Sequence, residues 1–306
     1  LNIYDRLNNV KILGTRQKEG GLFMQEQFLH LTPDKWQALI PPSDEFSAEI
    51  FMMKNLQYIM SQKNAVYYTQ QTFYKEQWQK IPFIIGVTGS VAVGKSTFAK
   101  KITRLFERLE PDKKIAQVST DGFLMSNAEL KAKNLMDQKG FPVSFNWDAF
   151  STFLSSVKAG KERVPYRLYS QEISDLVPNE VGSVEQPDVL VVEGINLLEV
   201  PPNGQAPPSD FLDYVIYLDA SEEDLERWYL DRYHLMLEIN RNNPDNYFYQ
   251  WAHVPREQAD IFAKKVWRDV NLKNLHEYIE PTKKRADMII KKYGNHEISD
   301  MYIKKF

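Results

Sequence analysis

Between the apolar run FIIGV and the periodic run STFAKKITRLFERL stand Gly89, Ser90, Val91, Ala92, Val93, Gly94, Lys95 and Ser96. Their spacing is G-x-x-x-x-G-K-[ST], the pattern whose backbone wraps a phosphate chain. The first turn of a helix presents N–H groups with no internal partner, at the positive end of the helix dipole, so it attracts anions. Lys95 then reaches the terminal phosphates as a mobile cation, and the Ser96 hydroxyl is positioned to ligate Mg²⁺. The flanks agree with this chemistry. FIIGV reads as a buried strand, and Phe98, Ile102, Leu105 (or Phe106) and Leu109 recur at helical spacing, so a helix opens at the lysine.

Two acids close strand-like runs: Asp121 follows IAQVST and Glu193 ends DVLVVE. In open parallel sheets ligands bind beyond the carboxyl ends of the strands, so each acid is either a metal-side carboxylate, a base or a cap of the next element. Phosphoryl transfer to an alcohol needs one carboxylate for the hydroxyl proton and another for the Mg²⁺ shell. Asp121, in TDGF, suits the acceptor, and Glu193, ending the most apolar strand, suits the metal through water. Further on, Tyr229, Arg232, Tyr233 and Met236 fall at i, i+3, i+4 and i+7 behind a capping-box-like start at Ser221 and Asp224. That face is either a core stripe with a snorkelling arginine, or a wall for a small acid whose carboxylate Arg232 takes in a two-pronged pair beside the Tyr229 hydroxyl.

The elements that must hold these residues alternate. Strand patterns at 83–88, 115–120, 188–193, 214–219 and 286–290 are separated by helix patterns at 96–109, 126–138, 148–158, 221–240 and 256–279. This predicts an α/β fold with a mostly parallel sheet flanked by helices on both sides. Residues 1–80 read as a helical extension packed on the core, with Thr32 as N-cap and Pro33 at the first helical position of TPDKWQALI. Residues 81–306 form a single catalytic unit, and 201–210 (PPNGQAPPSD) reads as a surface loop.

With 306 residues, 43% hydrophobic content and 26% charged residues, the chain suits one large or two smaller soluble domains. A net charge of −3 supplies no electrostatic argument for nucleic acid. The basic clusters Lys283, Lys284 and Arg285, Lys291 and Lys292, and Lys304 and Lys305 read as solvated faces. The absence of cysteine excludes disulfides and thiolate metal sites. No apolar run approaches the roughly 18 residues of a bilayer span and no signal-peptide pattern is present, so no membrane partner is expected and the cytoplasm is the expected compartment.

Taken together, GSVAVGKST, VSTDGFL, KGFP, VEGINLL, WYLDRY, NPDNYF, EPTKKRAD and NHEI make the chain resemble the bacterial type I pantothenate kinases, a family of P-loop kinases, over about residues 80–300. The resemblance implies a P-loop kinase fold and a cytoplasmic homodimer. It also implies ATP-dependent phosphorylation of the primary hydroxyl of pantothenate on the way to coenzyme A. Position by position it implies residues 89–96 as the ATP loop, Asp121 as general base, Tyr229, Arg232 and Asn271 as polar contacts to pantothenate, Tyr169 as pocket lining and His296 beside the adenine. The family's Tyr-Ser-His is here Tyr169, Ser170 and Gln171, and Ser174 replaces a tyrosine; feedback positions carry Lys100, Gln171 and Met236, and pocket positions Trp251 and Arg241. These departures imply that coenzyme A is a weak feedback ligand. The competing readings are a uridine-kinase-like or phosphoribulokinase-like enzyme, and an ATP-binding regulatory protein without turnover.

Overall fold

A computed structural model describes residues 27–40, 47–202 and 204–305; the rest of the expected N-terminal extension, 1–26 and 41–46, lies outside the described residues. Among the described residues seven strands form one sheet, in the order Phe28–Leu31, Glu297–Lys304, Met288–Tyr293, Tyr214–Asp219, Phe83–Gly89, Val189–Glu193, Ile115–Ser119. At its centre is β2 (Phe83–Gly89), every residue of which is buried. It pairs in parallel with β6 (Val189–Glu193) on one side and β7 (Tyr214–Asp219) on the other. Outside β6 lies β3 (Ile115–Ser119), also parallel. Because β2 passes through helix α3 (Lys95–Leu109) to β3 and leaves a gap that β6 fills, the loop after β2 opens on a crevice at the carboxyl ends of these strands.

β-branched and aromatic residues make these strands because both faces are covered. Phe83, Ile85 and Val87 enter one hydrophobic cluster with Phe98, Ile102 and Phe106 of α3, while Ile84 enters the other with Phe123, Phe150 and Phe153. Phe150 and Phe153 lie on a further helix, Trp147–Lys158. The next strand in the order, β8 (Met288–Tyr293), is parallel to β7, and β9 (Glu297–Lys304) turns back antiparallel to β8.

The N-terminal region differs in part from the helical reading. Helix α1 (Pro33–Gln37) starts after Thr32 with Pro33 at its first position, although the threonine side chain makes no cap hydrogen bond. Helix α2 (Ala48–Tyr74) is capped by Ser47, whose Oγ accepts from the Ile50 N–H at 3.2 Å. Phe28–Leu31, however, is a strand, β1, that pairs antiparallel with β9. Four residues are too short to show a period, and the open edge of β9 decides their conformation. Two more strands, β4 (Val164–Ser170) and β5 (Asp175–Val184), form a separate antiparallel hairpin that the alternation did not predict. Prolines and charged residues inside both runs hide the strand pattern. Among the described residues no helix is long and apolar enough to cross a membrane.

Candidate active site

The loop's backbone fixes its residue types. Gly89 has φ 136°, and a Cβ there would overlap the Leu218 carbonyl oxygen of β7, so only glycine fits. Gly94 caps α3 with φ 90° and no side-chain hydrogen bond, leaving the first N–H groups of the helix for an anion. Lys95 Nζ donates to the Ser90 carbonyl at 2.8 Å, folding across the loop. Burial pushes this ammonium down to about 8, helped by Arg232 and opposed by Glu193 and Asp121. Val93 and Ser90 are buried, and the Ser90 hydroxyl has no hydrogen-bond partner.

Register brings the acids to this loop. Glu193 ends β6 opposite Val87 of β2 and Ser119 of β3, so the loop, Glu193 and the Thr120–Phe123 turn share one edge. Ser96 Oγ donates to Glu193 Oε1 at 3.1 Å, and Glu193 is only 6% exposed. A hydroxyl and a carboxylate at this separation are hard oxygen donors, suited to a cation that keeps most of its water and takes the rest from phosphate. Among the described residues no group of three or more His, Cys, Asp or Glu could by itself hold a metal ion. Asp121 is half-buried, and its carboxyl is pushed up to about 6 by burial and then by Glu193, against Lys95, Arg232 and Lys139.

A cleft of about 1040 Å³ runs over this edge. It is lined by Ala92, Gly94, Lys95 and Ser96 of the loop, by Gln171 and Arg232, and by Trp36, Ser47 and Glu49. His296 borders it from the β8–β9 turn, stacked on Trp228 with centroids 3.9 Å apart and planes 22° from parallel. Its ring is pushed down by burial and by Lys292.

The stretch Glu222–Ile239 forms one helix, and its predicted face divides. Tyr233 is buried with Leu237, Ala259 and Ala263 as core, whereas Arg232 is exposed and reaches the cleft. Tyr229 is half-buried against Trp267, centroids 5.4 Å apart, and its phenol is pushed up to about 12, chiefly by burial. The expected single helix at 256–279 is an α-helix over Arg256–Val266 that continues through two π-helical windows, Trp267–Leu272 and Leu275–Ile279. Asn271 lies in the first window, four residues beyond Trp267. Such windows are common at functional sites because they re-aim side chains, and no propensity announces them. Tyr229 and Asn271 do not line the nucleotide-sized cleft. Tyr169, on β4, lies beyond Gln171, its hydroxyl 3.3 Å from Ser174 Oγ.

Two lysines escaped the sequence reading. Lys292 is not on a solvated face: it is 8% exposed, its Nζ donates to the Val93 carbonyl at 2.8 Å, and burial pushes it down to about 8. Strand alternation sends Lys291 outward and Lys292 inward, a signal available in MIIKKY once it is read as a strand. Lys139, in KGFP, donates to Asn127 Oδ1 at 2.8 Å and to the Ser174 carbonyl, and sits 5.4 Å over the Tyr169 ring.

Comparison with known proteins agrees with this geometry. The sequence profile of the phosphoribulokinase/uridine kinase family matches residues 84–232. A pantothenate kinase of Levilactobacillus brevis is 47% identical over 235 residues, 77% of this chain and 76% of that one. A pantothenate kinase of Ligilactobacillus salivarius is 39% identical over 310 residues, 99% of each chain. Among solved structures, D-glycerate 3-kinase from Cryptococcus neoformans covers 78% of this chain and 97% of its own, with a TM-score of 0.50 at 15% identity, which speaks for the fold alone. The YGR205w protein does so over 82% and 99%, with a TM-score of 0.52 at 15% identity. With near-full-length relatives at this identity and a phosphate loop flanked by two strand-terminal carboxylates, the chain belongs to the pantothenate kinase family of P-loop kinases.

Proposed function

We propose that the chain transfers the γ-phosphoryl group of ATP to the primary hydroxyl of pantothenate, giving 4'-phosphopantothenate, the first step of coenzyme A biosynthesis. The observation that carries this reading is the pair of carboxylates beside the loop: Glu193 at the end of β6, bonded to Ser96, and Asp121 in the turn just after the neighbouring β3, where one oxygen can face an acceptor. Asp121 accepts the hydroxyl proton as the acceptor oxygen bonds to the γ-phosphorus, and the bond to the bridging oxygen breaks to release ADP. Residues 89–96 cradle the triphosphate, and Lys95 neutralises the transferring group. Ser96, and Glu193 through water, would hold Mg²⁺, which supplies charge neutralisation between the phosphates. Arg232 takes the pantothenate carboxylate, Tyr229, Asn271 and Tyr169 contact its polar groups, and His296 lies against the adenine.

The same reading assigns the enzyme to the cytoplasm as a homodimer. The second half of α2 supports the dimer: Val66, Tyr68, Phe73 and Tyr74 are exposed on it, Phe73 at 78%. Dimerisation through that half predicts a monomer in Phe73→Glu on sedimentation, and an unchanged dimer contradicts it. Coenzyme A is proposed as a weak feedback ligand, since of the feedback positions Lys100, Gln171 and Met236 only the lysine offers it a cation and none offers a ring. Inhibition at low micromolar coenzyme A with physiological ATP contradicts this.

ADP release measured with pantothenate, uridine, ribulose 5-phosphate and glycerate as acceptors tests the main reading. Turnover confined to pantothenate is expected. Preference for uridine or ribulose 5-phosphate overturns the acceptor, and nucleotide binding without turnover on any alcohol favours a regulatory protein.

A further inference from the structure

The hairpin of β4 and β5 brings one side chain to Asp121. Gln171 Nε2 donates to Asp121 Oδ2 at 3.1 Å, while the Asp121 N–H is held by Ser119 Oγ at 3.4 Å. A carboxylate only accepts, so the amide nitrogen is the end of Gln171 that satisfies it. Gln171 is itself exposed, yet its turn is tied down from several sides. Ser170 pairs with Asp175 across the hairpin, Asp175 Oδ1 accepts from the Asn127 N–H at 2.9 Å, and the Glu172 carbonyl accepts from the Tyr247 N–H at 3.3 Å. The Ser174 carbonyl accepts from Lys139 Nζ, and Arg167 Nη2 reaches the Leu124 carbonyl at 3.0 Å, just beyond the Asp121 turn. These bonds tie an exposed turn to three other segments. They fix the place from which the amide reaches the acid.

We propose that Gln171 is a positioning residue for Asp121: by holding Oδ2 it leaves Oδ1 as the oxygen that receives the acceptor's proton. The proposal rests on Asp121 being the base, and it adds the group that aims it. The other charged groups around Asp121 are Glu193, Lys95, Arg232 and Lys139. All four titrate or carry fixed charge, whereas an amide does neither, so Gln171 gives a donor that is the same at every working pH. It also keeps a neutral group, rather than a cation, where the nucleotide cleft meets the acceptor.

The experiment compares wild type with Gln171→Leu, Gln171→Asn and Gln171→His, following kcat, both KM values and the pH profile of kcat, with nucleotide binding as the check on folding. Loss of the donor in Gln171→Leu is expected to lower kcat about tenfold with KM for ATP within about twofold, as for a hydrogen bond to a charged group. It is also expected to move the acidic limb upward by about one pH unit, because the carboxylate loses a stabilising donor. Gln171→Asn, one methylene short, moves both in the same direction, and Gln171→His, which keeps a ring N–H, recovers most of the loss above pH 7. An acidic limb that stays in place in both donor-loss variants overturns the proposal, as does a rise in KM for ATP alone, which marks Gln171 as a phosphate contact. Asp121→Asn, run alongside, separates the two claims: full turnover in that variant overturns the base assignment itself, whatever Gln171 does.

Discussion

The two halves of the proposed site are built on different plans. The phosphate end is backbone and contiguous sequence: eight residues, 89–96, between a fully buried strand and a helix, with Glu193 set in register beside them. The proposed acceptor half is side chains from separate segments: Tyr169 and Gln171 from a hairpin, Arg232 and Tyr229 from a helix, and Asn271 from a π-helical window, with Asp121 on a 3₁₀ turn between the two halves. Phosphate has one shape and needs one cradle, so its site can be rigid and local. An organic acceptor is recognised by several dispersed contacts, each replaceable without unfolding the cradle. Damage at the first end should therefore remove catalysis, and damage at the second should change which alcohol is used and how tightly.

The largest effect is expected where the two plans meet. Asp121→Asn should lower kcat by about 10²- to 10⁴-fold, the usual contribution of a general base, with nucleotide binding retained in a filter or calorimetric assay. Next, Arg232→Ala should raise KM for pantothenate by about 10- to 100-fold, the range for losing a charge-assisted pair, while KM for ATP moves far less. Equal losses for both substrates would move Arg232 to the phosphate end. Titration gives a third measurement. Asp121 must be ionised and Lys95 charged, so kcat/KM for ATP should fall below about pH 6 and above about pH 8. A profile flat from 5 to 9 would detach both groups from the reaction. Smallest, Ser126→Ala removes a capping box in which Ser126 and Glu129 satisfy each other's backbone N–H groups. Stability should drop by about 1 kcal/mol on thermal melting with both KM values unchanged, showing that the acceptor end tolerates a looser scaffold.

How much of this was readable from the chain follows the same division. The loop and its flanking elements could be read because motif, strand and helix are adjacent, and a buried parallel strand has to be β-branched and aromatic. Asp121 and Glu193 were reachable through the rule for strand ends. Arg232 came from helical periodicity, which could not say that Tyr233 turns into the core while Arg232 leaves it. Tyr169 and Asn271 came only from resemblance. Their supporting elements, a proline-bearing hairpin and a π-helical stretch, have no clear local signature, and the Gln171 contact exists only once the hairpin is folded onto TDGF. Lys292 was misread because two adjacent lysines look solvated until the strand's alternation is applied.

Lys292 also carries a consequence for how the enzyme comes into being. It grips the Val93 carbonyl from a point 199 residues further along, and His296, the stacking ring of the cleft, follows it by four. A polypeptide leaving the ribosome therefore exposes its glycine-rich turn long before the strand that clasps it has been made. A chain interrupted before that strand would carry the turn without the lysine that braces it from behind.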